Sequence, residues 1–243
     1  NGSLSGGCNV AIGTSALTDN TTGGSNTAVG NVALANNTTG SFNIAVGRSS
    51  LLANTEGQLN NAVGYAALNS NTTGDNNNAF GRGALQCNTT ASGNTAIGHN
   101  SLNLNTTGAA NTAAGFVALQ CNQTGLNNTA VGSCAMTDNT TASYNSAFGK
   151  GALHSNTTGT YNTALGFNSM VVMDGGLCNT AVGARAMNTL SSGCENTAVG
   201  MDALYCNTTG IRNTAVGAFA LINNTSSNNT AIGLCAMNSN TTG

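Results

Sequence analysis

The chain has 243 residues, of which only 5% are charged, and its formal net charge is −2 at pH 7. Ordinary soluble domains carry about 25% charged residues, and the lack of a basic surface argues against a nucleic-acid partner. No apolar run approaches the roughly 18 residues that a membrane helix needs, so we expect no membrane insertion. Because the chain starts at Asn1 without Met, we expect a mature product or a segment of a longer protein.

A tandem repeat occupies almost the whole sequence. The pentad Asn-x-Ala-x-Gly occurs fourteen times, twelve successive intervals are 17 residues long, and the last is 16. The copies start at Asn9, Asn26, Asn43, Asn60, Asn77, Asn94, Asn111, Asn128, Asn145, Asn162, Asn179, Asn196, Asn213 and Asn229. We number repeat positions 1 to 17 from that Asn; the consensus is N-T-A-V-G-x-x-A-L-x-x-N-T-T-G-x-x. Residues 1–8 are interpreted as a partial preceding coil and residues 9–243 as a single continuous repeat domain.

Each repeat predicts two short strands and a turn. Thr-Ala-Val at positions 2 to 4 forms the first strand, positions 8 to 10 form the second, and Asn-Thr-Thr-Gly at positions 12 to 15 forms the turn. Seventeen residues are too few for the paired helices of helical repeats. The sequence therefore predicts an all-β fold, a parallel β-solenoid of the β-roll type with about fourteen 17-residue coils and essentially no helix.

A thin apolar core is expected inside the coils. Position 4 is apolar in every copy, position 9 is Leu or Met, and the Asn at position 1 is expected to form a hydrogen-bonded ladder. The residues predicted to be buried are Val29, Val46, Val63, Val131, Val182 and Val199, with Leu34, Leu68, Leu119 and Leu204. The residues predicted to be exposed are Arg48, Arg82, His99 and Lys150.

Small residues at positions 3 and 5 predict a close neighbour. Side chains alternate along a strand, so a buried position 4 would direct position 3 outward, yet position 3 is always Ala and position 5 always Gly. Two neighbours fit: other chains of a homo-oligomer or filament, which we favour, or the opposite sheet of the same coil. This predicted assembly stripe is represented by Ala113, Gly115, Ala130, Gly132, Ala147 and Gly149.

The pentads NTAVG and NTAIG, followed by a small residue and Leu, resemble the head repeats of trimeric autotransporter adhesins. The 17-residue form with NTTG is similar to repeats in phage and bacterial tail-fibre-like proteins. The resemblance covers residues 9–243 and concerns the pentad, for instance Ala28, Val29 and Gly30. It implies a β-solenoid or β-roll, commonly a parallel homotrimer, on a cell or virion surface.

Cysteines and glycosylation sequons are the remaining candidates for modification. Cys178 and Cys194 occupy positions 17 and 16 of successive repeats, which would place them about 5–6 Å apart, as a disulfide requires; alternatively, Cys simply replaces small turn residues. Position 12 often begins an N-x-[ST] sequon, although Asn-Thr-Thr-Gly is also good turn chemistry. The candidate glycosylation sites are Asn20, Asn37, Asn71, Asn88, Asn105, Asn139, Asn156 and Asn207.

The sequence contains no constellation that indicates catalysis. The two histidines, His99 and His154, are far apart and have no repeated carboxylate partner. No C-x-x-C pair, P-loop or calcium nonapeptide is present, so we expect no enzymatic activity, no metal and no cofactor.

Three functions remain open. We favour a structural, adhesive component of an extracellular or surface fibre, whose partners are copies of itself in a trimer or filament. The alternative is a receptor-binding tail-fibre or adhesin head that contacts surface glycans or receptors; its marker would be the apolar segments Met170–Gly175 and Met187–Ser191, which replace the usual turn and could form an exposed patch. The third is an ice-binding solenoid with Thr columns at positions 2, 13 and 14. All three place the protein outside the cell or on a cell or virion surface.

Overall fold

The computed structural model describes residues 6–240, and within that range it is all-β with fourteen three-residue strands and no helix. Residues 1–5 of the predicted partial coil lie outside the described range. The strands are β1 Val10–Ile12, β2 Thr27–Val29, β3 Ile44–Val46, β4 Asn61–Val63, β5 Asn78–Phe80, β6 Thr95–Ile97, β7 Thr112–Ala114, β8 Thr129–Val131, β9 Ser146–Phe148, β10 Thr163–Leu165, β11 Thr180–Val182, β12 Thr197–Val199, β13 Thr214–Val216 and β14 Thr230–Ile232.

The chain forms two compact units, one ending at Thr124 and the other beginning at Gly125. In each unit, consecutive strands pair in parallel and in register, so that Ala28 lies beside Ala45 in the first unit and Ala164 beside Ala181 in the second. The shorter repeat at residues 213–228 keeps this register, because Ala215 pairs with Ala231. The parallel β-solenoid with one coil per repeat is thus confirmed within each unit.

The strand side chains point in the direction opposite to the one predicted. Position 3 faces the interior: Ala28, Ala130 and their equivalents from the second to the thirteenth repeat are fully buried, whereas Ala11 in the first repeat is exposed. Position 4 faces outward, so the predicted burial of Val29, Val46, Val63, Val131, Val182 and Val199 is wrong; Val131 and Val199 are each 37% exposed, and the other four are half-buried. The reason is space, because the interior opposite the strand is already filled by the position-9 side chain and by asparagine amides.

The second predicted strand is replaced by an irregular segment, although its buried residues were identified correctly. Leu34, Leu68, Leu119 and Leu204 have no exposed surface, and position 8 beside them is buried as well. A regular strand would send positions 8 and 9 to opposite faces. Here positions 7 and 9 adopt left-handed backbone conformations, as at Val32 and Leu34 with φ of 51°, and the chain bends so that both neighbours face inward.

The glycine at position 5 is required by the approach of the next coil. Gly132 has a φ of 137°, a conformation that residues with a Cβ rarely adopt. A Cβ on Gly132 would lie 2.5 Å from the carbonyl oxygen of Gly149, which is the equivalent glycine one coil later. The backbone of the same chain therefore accounts for the small residue at this position.

Two ladders of stacked asparagine side chains, one at position 12 and one at position 1, hold the interior of the coils together. Within a coil such as residues 26–42, both asparagines donate to the same backbone carbonyl, at position 15. At position 12, Asn37 Nδ2 donates to Asn20 Oδ1 of the preceding coil at 2.7 Å and to Gly40 O at 2.9 Å. At position 1, Asn26 Nδ2 also donates to Gly40 O at 2.9 Å, while its Oδ1 accepts from Asn43 N of the next coil. Buried amides need such partners, and the fixed repeat length supplies them.

The position-12 ladder is interrupted in two successive coils of the second unit. Met173 and Leu190 occupy the asparagine position, and both are fully buried. Asn156 Oδ1, which would accept from an amide at residue 173, is buried without a hydrogen-bond partner. The apolar side chains thus fill the interior and leave the end of the ladder unsatisfied.

Replacement of Gly132 by Ala should strongly destabilise the fold, because the new Cβ meets both an unfavourable φ and the next backbone. We expect a loss of about 3 kcal/mol, measured by denaturant unfolding followed by circular dichroism. Gly175→Ala is the matched control, since its nearest neighbour would be Thr158 Oγ1 at 3.8 Å; it should stay within about 0.5 kcal/mol of the parent. Equal stability of the two variants would contradict this explanation of position 5.

Asparagine at both residue 173 and residue 190 should complete the position-12 ladder, so the two substitutions should be energetically coupled. Each single change replaces an apolar side chain and leaves an incomplete set of amide bonds, whereas Met173→Asn with Leu190→Asn creates an amide pair between the two coils. A double-mutant cycle should therefore show a favourable coupling of about 1 kcal/mol. A cycle with Met173→Ala in place of Met173→Asn should lack it, and additivity in both cycles would argue against the ladder.

Candidate functional site: an apolar face on the strands

The outward surface of the strands carries an apolar residue at position 4 in every repeat. We call these residues the apolar face: Ile12, Val29, Val46, Val63, Phe80, Ile97 and Ala114 in the first unit, and Val131, Phe148, Leu165, Val182, Val199, Val216 and Ile232 in the second. They are half-buried or exposed, with Ile97 at 49% and Phe148 at 40%. Scattered apolar residues are normal at a protein surface, but a contiguous apolar surface marks an interaction site.

The apolar face has no charge of its own. Position 2, which projects from the same side of each strand, holds Thr in most repeats and otherwise Val, Ile, Asn or Ser. No Asp, Glu, Lys or Arg occurs at position 2 or 4 in any of the fourteen repeats. Covering this surface would therefore remove apolar groups from water without burying an unpaired charge, which is the combination found in the cores of interfaces.

The predicted assembly stripe is not available to another chain. Ala113, Ala130 and Ala147 are already fully buried within the single chain, which corrects our preference for another chain as their neighbour. The accompanying glycines, Gly115, Gly132 and Gly149, are half-buried. Because strand side chains alternate, the surface that remains open to a partner is the apolar face and not the Ala positions.

The candidate glycosylation sites all lie in the position-12 ladder. Their side chains are at most 2% exposed, and in Asn37, Asn71 and Asn105 the amide nitrogen donates within the coil stack. A glycan attached to that nitrogen would replace one of its two N–H donors, and with it one of its hydrogen bonds, and could not fit inside the coil. Glycosylation and the ladder would thus require the same atom, the asparagine Nδ2, and in the folded chain this nitrogen donates hydrogen bonds in the ladder. The eight are Asn20, Asn37, Asn71, Asn88, Asn105, Asn139, Asn156 and Asn207.

Cys178 and Cys194 are not joined by a disulfide in the structure. Cys178 is exposed and Cys194 is partly exposed, and Cys194 Sγ donates to the Ser192 carbonyl at 3.6 Å. Glu195 N donates to Leu177 O, so the two segments that carry the cysteines lie side by side in neighbouring coils. The disulfide between Cys178 and Cys194 stays a prediction for oxidising conditions.

One cluster of polar side chains was not anticipated from the sequence. Ser155 Oγ donates to Asp138 Oδ2 at 3.2 Å and lies 3.1 Å from His154 Nδ1, which is itself 3.5 Å from Asp138 Oδ2. These are the residue types of a hydrolase triad. A triad uses both imidazole nitrogens, one toward the nucleophile and one toward the carboxylate, whereas both partners here approach Nδ1, so the arrangement does not activate the serine.

Ion pairs between an arginine and an acidic residue are structural contacts between neighbouring coils. Arg185 Nη2 lies 2.6 Å from Oδ2 of the buried Asp202, and Arg212 Nε lies 2.9 Å from Glu195 Oε2. The hydrogen bond to Asp202 raises the pKa of Arg185 above its ordinary value. Within residues 6–240, no group of three or more His, Cys, Asp or Glu side chains is placed to hold a metal ion.

No helix in the described range is long and apolar enough to cross a membrane. Comparison of the chain with protein-family models, with curated proteins and with solved structures finds no match.

Proposed function

We propose that this chain is a structural, adhesive component of an extracellular or cell- or virion-surface fibre, assembled from copies of itself through the apolar face. The observation that carries the proposal is the outward position 4, which is apolar in all fourteen repeats although it faces solvent in a single chain. Fold stability alone does not require an apolar residue at an outward position, whereas association does.

The regular spacing of the coils favours association with an identical partner. Parallel strands lie about 4.8 Å apart, so two copies of one unit side by side can bring a position-4 side chain of one chain against its counterpart in each coil of that unit. The contributions of the coils then add, as in other repeat proteins. The resemblance of the pentads to adhesin-head and tail-fibre repeats supports the same proposal and, with it, a trimer and a surface location.

The alternative of a receptor-binding head gains little from the irregular coils. Met170, Met173, Met187 and Leu190 are all fully buried, and Val172 is the exposed apolar residue of these segments at 46%. The sequence there compensates for a missing asparagine ladder and does not create an apolar surface patch.

Ice binding is a second candidate, favoured by the hydroxyl groups beside the apolar face. In the second unit, position 2 is Thr or Ser in every repeat, from Thr129 to Thr230. The pairing of successive strands gives these side chains the strand spacing of about 4.8 Å. A regular hydroxyl and methyl array on an uncharged surface is suited to ordered water.

An arginine on the apolar face should prevent assembly and leave the fold intact. Val63→Arg with Val182→Arg places one charge on each unit, and the long side chain can reach water in the free chain but not inside an apolar interface. Light scattering with size-exclusion chromatography should show an oligomer for the parent and a monomer for the variant, with equal circular dichroism. Negative-stain micrographs of the parent should show rods or filaments.

Thr73→Arg with Thr209→Arg is the matched control, because position 14 is exposed on the turn in both units. This variant should retain the mass of the parent. A parent that is monomeric at every concentration tested, or a face variant with the parent's mass, would overturn the proposed assembly.

Thermal hysteresis separates the ice-binding candidate from the fibre. Thr180→Val with Thr197→Val removes two hydroxyls while keeping shape, and Val10 shows that position 2 accepts valine. An ice-binding chain should depress the freezing point and lose part of that activity in the variant, whereas a fibre chain should show no hysteresis and no change of mass. Hysteresis in the parent that the substitution leaves unchanged would rule out position 2 as the ice-binding surface.

A further inference from the structure

Five consecutive repeats of the first unit carry a continuous row of cationic and aromatic side chains at position 6. We call Arg48, Tyr65, Arg82, His99 and Phe116 the position-6 ladder. Both Arg48 Cζ and Arg82 Cζ lie 5.9 Å from the centre of the Tyr65 ring. Arg82 Nη1 lies 3.3 Å from His99 Nε2, and His99 stacks on Phe116 with ring centres 5.5 Å apart and planes 14° apart. Each side chain of the ladder therefore contacts the next.

The two arginines of this ladder have no carboxylate partner. Arg48 and Arg82 are the only Lys or Arg residues of the first unit, both are exposed, and neither forms an ion pair within the described range. The acids of that unit, Asp19, Glu56 and Asp75, stand at positions 11, 14 and 16 of their coils. In the second unit, by contrast, Arg185 and Arg212 are each paired with an acid one coil away. The row thus presents uncompensated positive charge.

The aromatic rings hold the cations at a fixed separation. Tyr65 lies in the coil between the two arginines, and cation–π attraction to one ring holds both guanidinium groups. Two coils span about 10 Å at the usual strand spacing. Arg82 can only donate, so His99 Nε2 is the acceptor in the contact between these two side chains. The guanidinium groups keep further N–H donors for a carboxylate or sulfate.

We propose that Arg48 and Arg82 are two anion subsites for a linear acidic polysaccharide that lies along the coil stack. Their separation is about the length of one disaccharide unit, so a polymer with one carboxylate in each disaccharide places successive anions on successive arginines. This inference is independent of the fibre, which needs no ligand.

A nucleic acid fits the same row poorly. Single strands bind through bases stacked on open aromatic faces, but Tyr65 has arginines in the coils before and after it, and Phe116 is stacked by His99. One phosphate in every nucleotide also gives a charge density that two arginines about 10 Å apart do not match.

The row remains open when the apolar face is covered. Position 6 holds Arg or Lys in three repeats and polar residues in others, whereas position 4 is always apolar. A surface that accepts charged side chains in several coils is not the core of an apolar interface. The same chain can therefore associate through position 4 and bind a ligand through position 6.

The test is isothermal titration calorimetry, in which the full chain is titrated with a hyaluronan decasaccharide in low salt. Arg48→Asn with Arg82→Asn removes both subsites, and Asn31 shows that position 6 accepts asparagine. We expect the dissociation constant to rise at least about tenfold, and binding by the parent to weaken as salt is added.

Arg212→Asn is the matched control: it removes a paired cation at position 17, where Asn76 and Asn127 occur naturally, and it should bind like the parent. Neutral dextran should not bind, and oligodeoxythymidine should bind more weakly than hyaluronan. The proposal is overturned if the parent does not bind hyaluronan, if the double variant binds as the parent does, if Arg212→Asn loses as much, or if oligodeoxythymidine binds equally well.

Discussion

The hydrogen bonds that pass from the asparagine of one coil to the asparagine of the next are the interaction on which this architecture depends. An amide can bridge two coils only when both are at strand spacing and in the same register. The carbonyl at position 15, as in Gly40, accepts from both ladders and ties the turn to the strand. Every coil must therefore return to the same place, which fixes the repeat at 17 residues. The 16-residue repeat at residues 213–228 is accommodated by a local change at Ser226, whose carbonyl takes over the same role.

An interior organised by amides leaves little room for apolar side chains. One large residue at position 9 and small residues at positions 3 and 8 complete it, and the remaining apolar residue of the strand is directed outward. The apolar face is thus a consequence of the ladders as well as a candidate interface: the coil cannot bury position 4 by itself. Where the ladder is lost, at Met173 and Leu190, apolar side chains enter the interior, which shows that space at position 12, and not polarity alone, decides what the coil can hold.

The sequence was sufficient to predict the coil, the parallel register and the burial of Leu34 and its equivalents, because a strict 17-residue period predicts stacked coils and the Leu or Met at position 9 of every repeat predicts a core side chain. The direction of the strand could not be read from it. Positions 3 and 4 are both apolar in every repeat, and alternation alone allows either to face inward. We interpreted Ala130 and Gly132 as a stripe facing another chain, whereas Ala130 is fully buried within its own chain and Gly132 meets the backbone of the next coil. The left-handed residues at positions 7 and 9, such as Val32 and Leu34, were also unpredictable, since neither is a residue type that favours that conformation.

Invariance and variation have separate meanings in such a chain. The residues that repeat without change are those that build the coil, and a substitution at any of them would alter contacts with the coils on both sides. Variable positions are free of that constraint, yet the register still stacks whatever side chains occupy them. Tyr144 and Tyr161 show this at position 17, with ring centres 5.0 Å apart and planes 2° apart, as do Arg48, Tyr65 and Arg82 at position 6. A short run of substitutions in consecutive repeats therefore produces a linear array at the spacing of the coils. Such arrays are matched to extended, repetitive ligands rather than to compact ones, which is why the variable columns, and not the conserved pentad, are the places where this solenoid can acquire specificity.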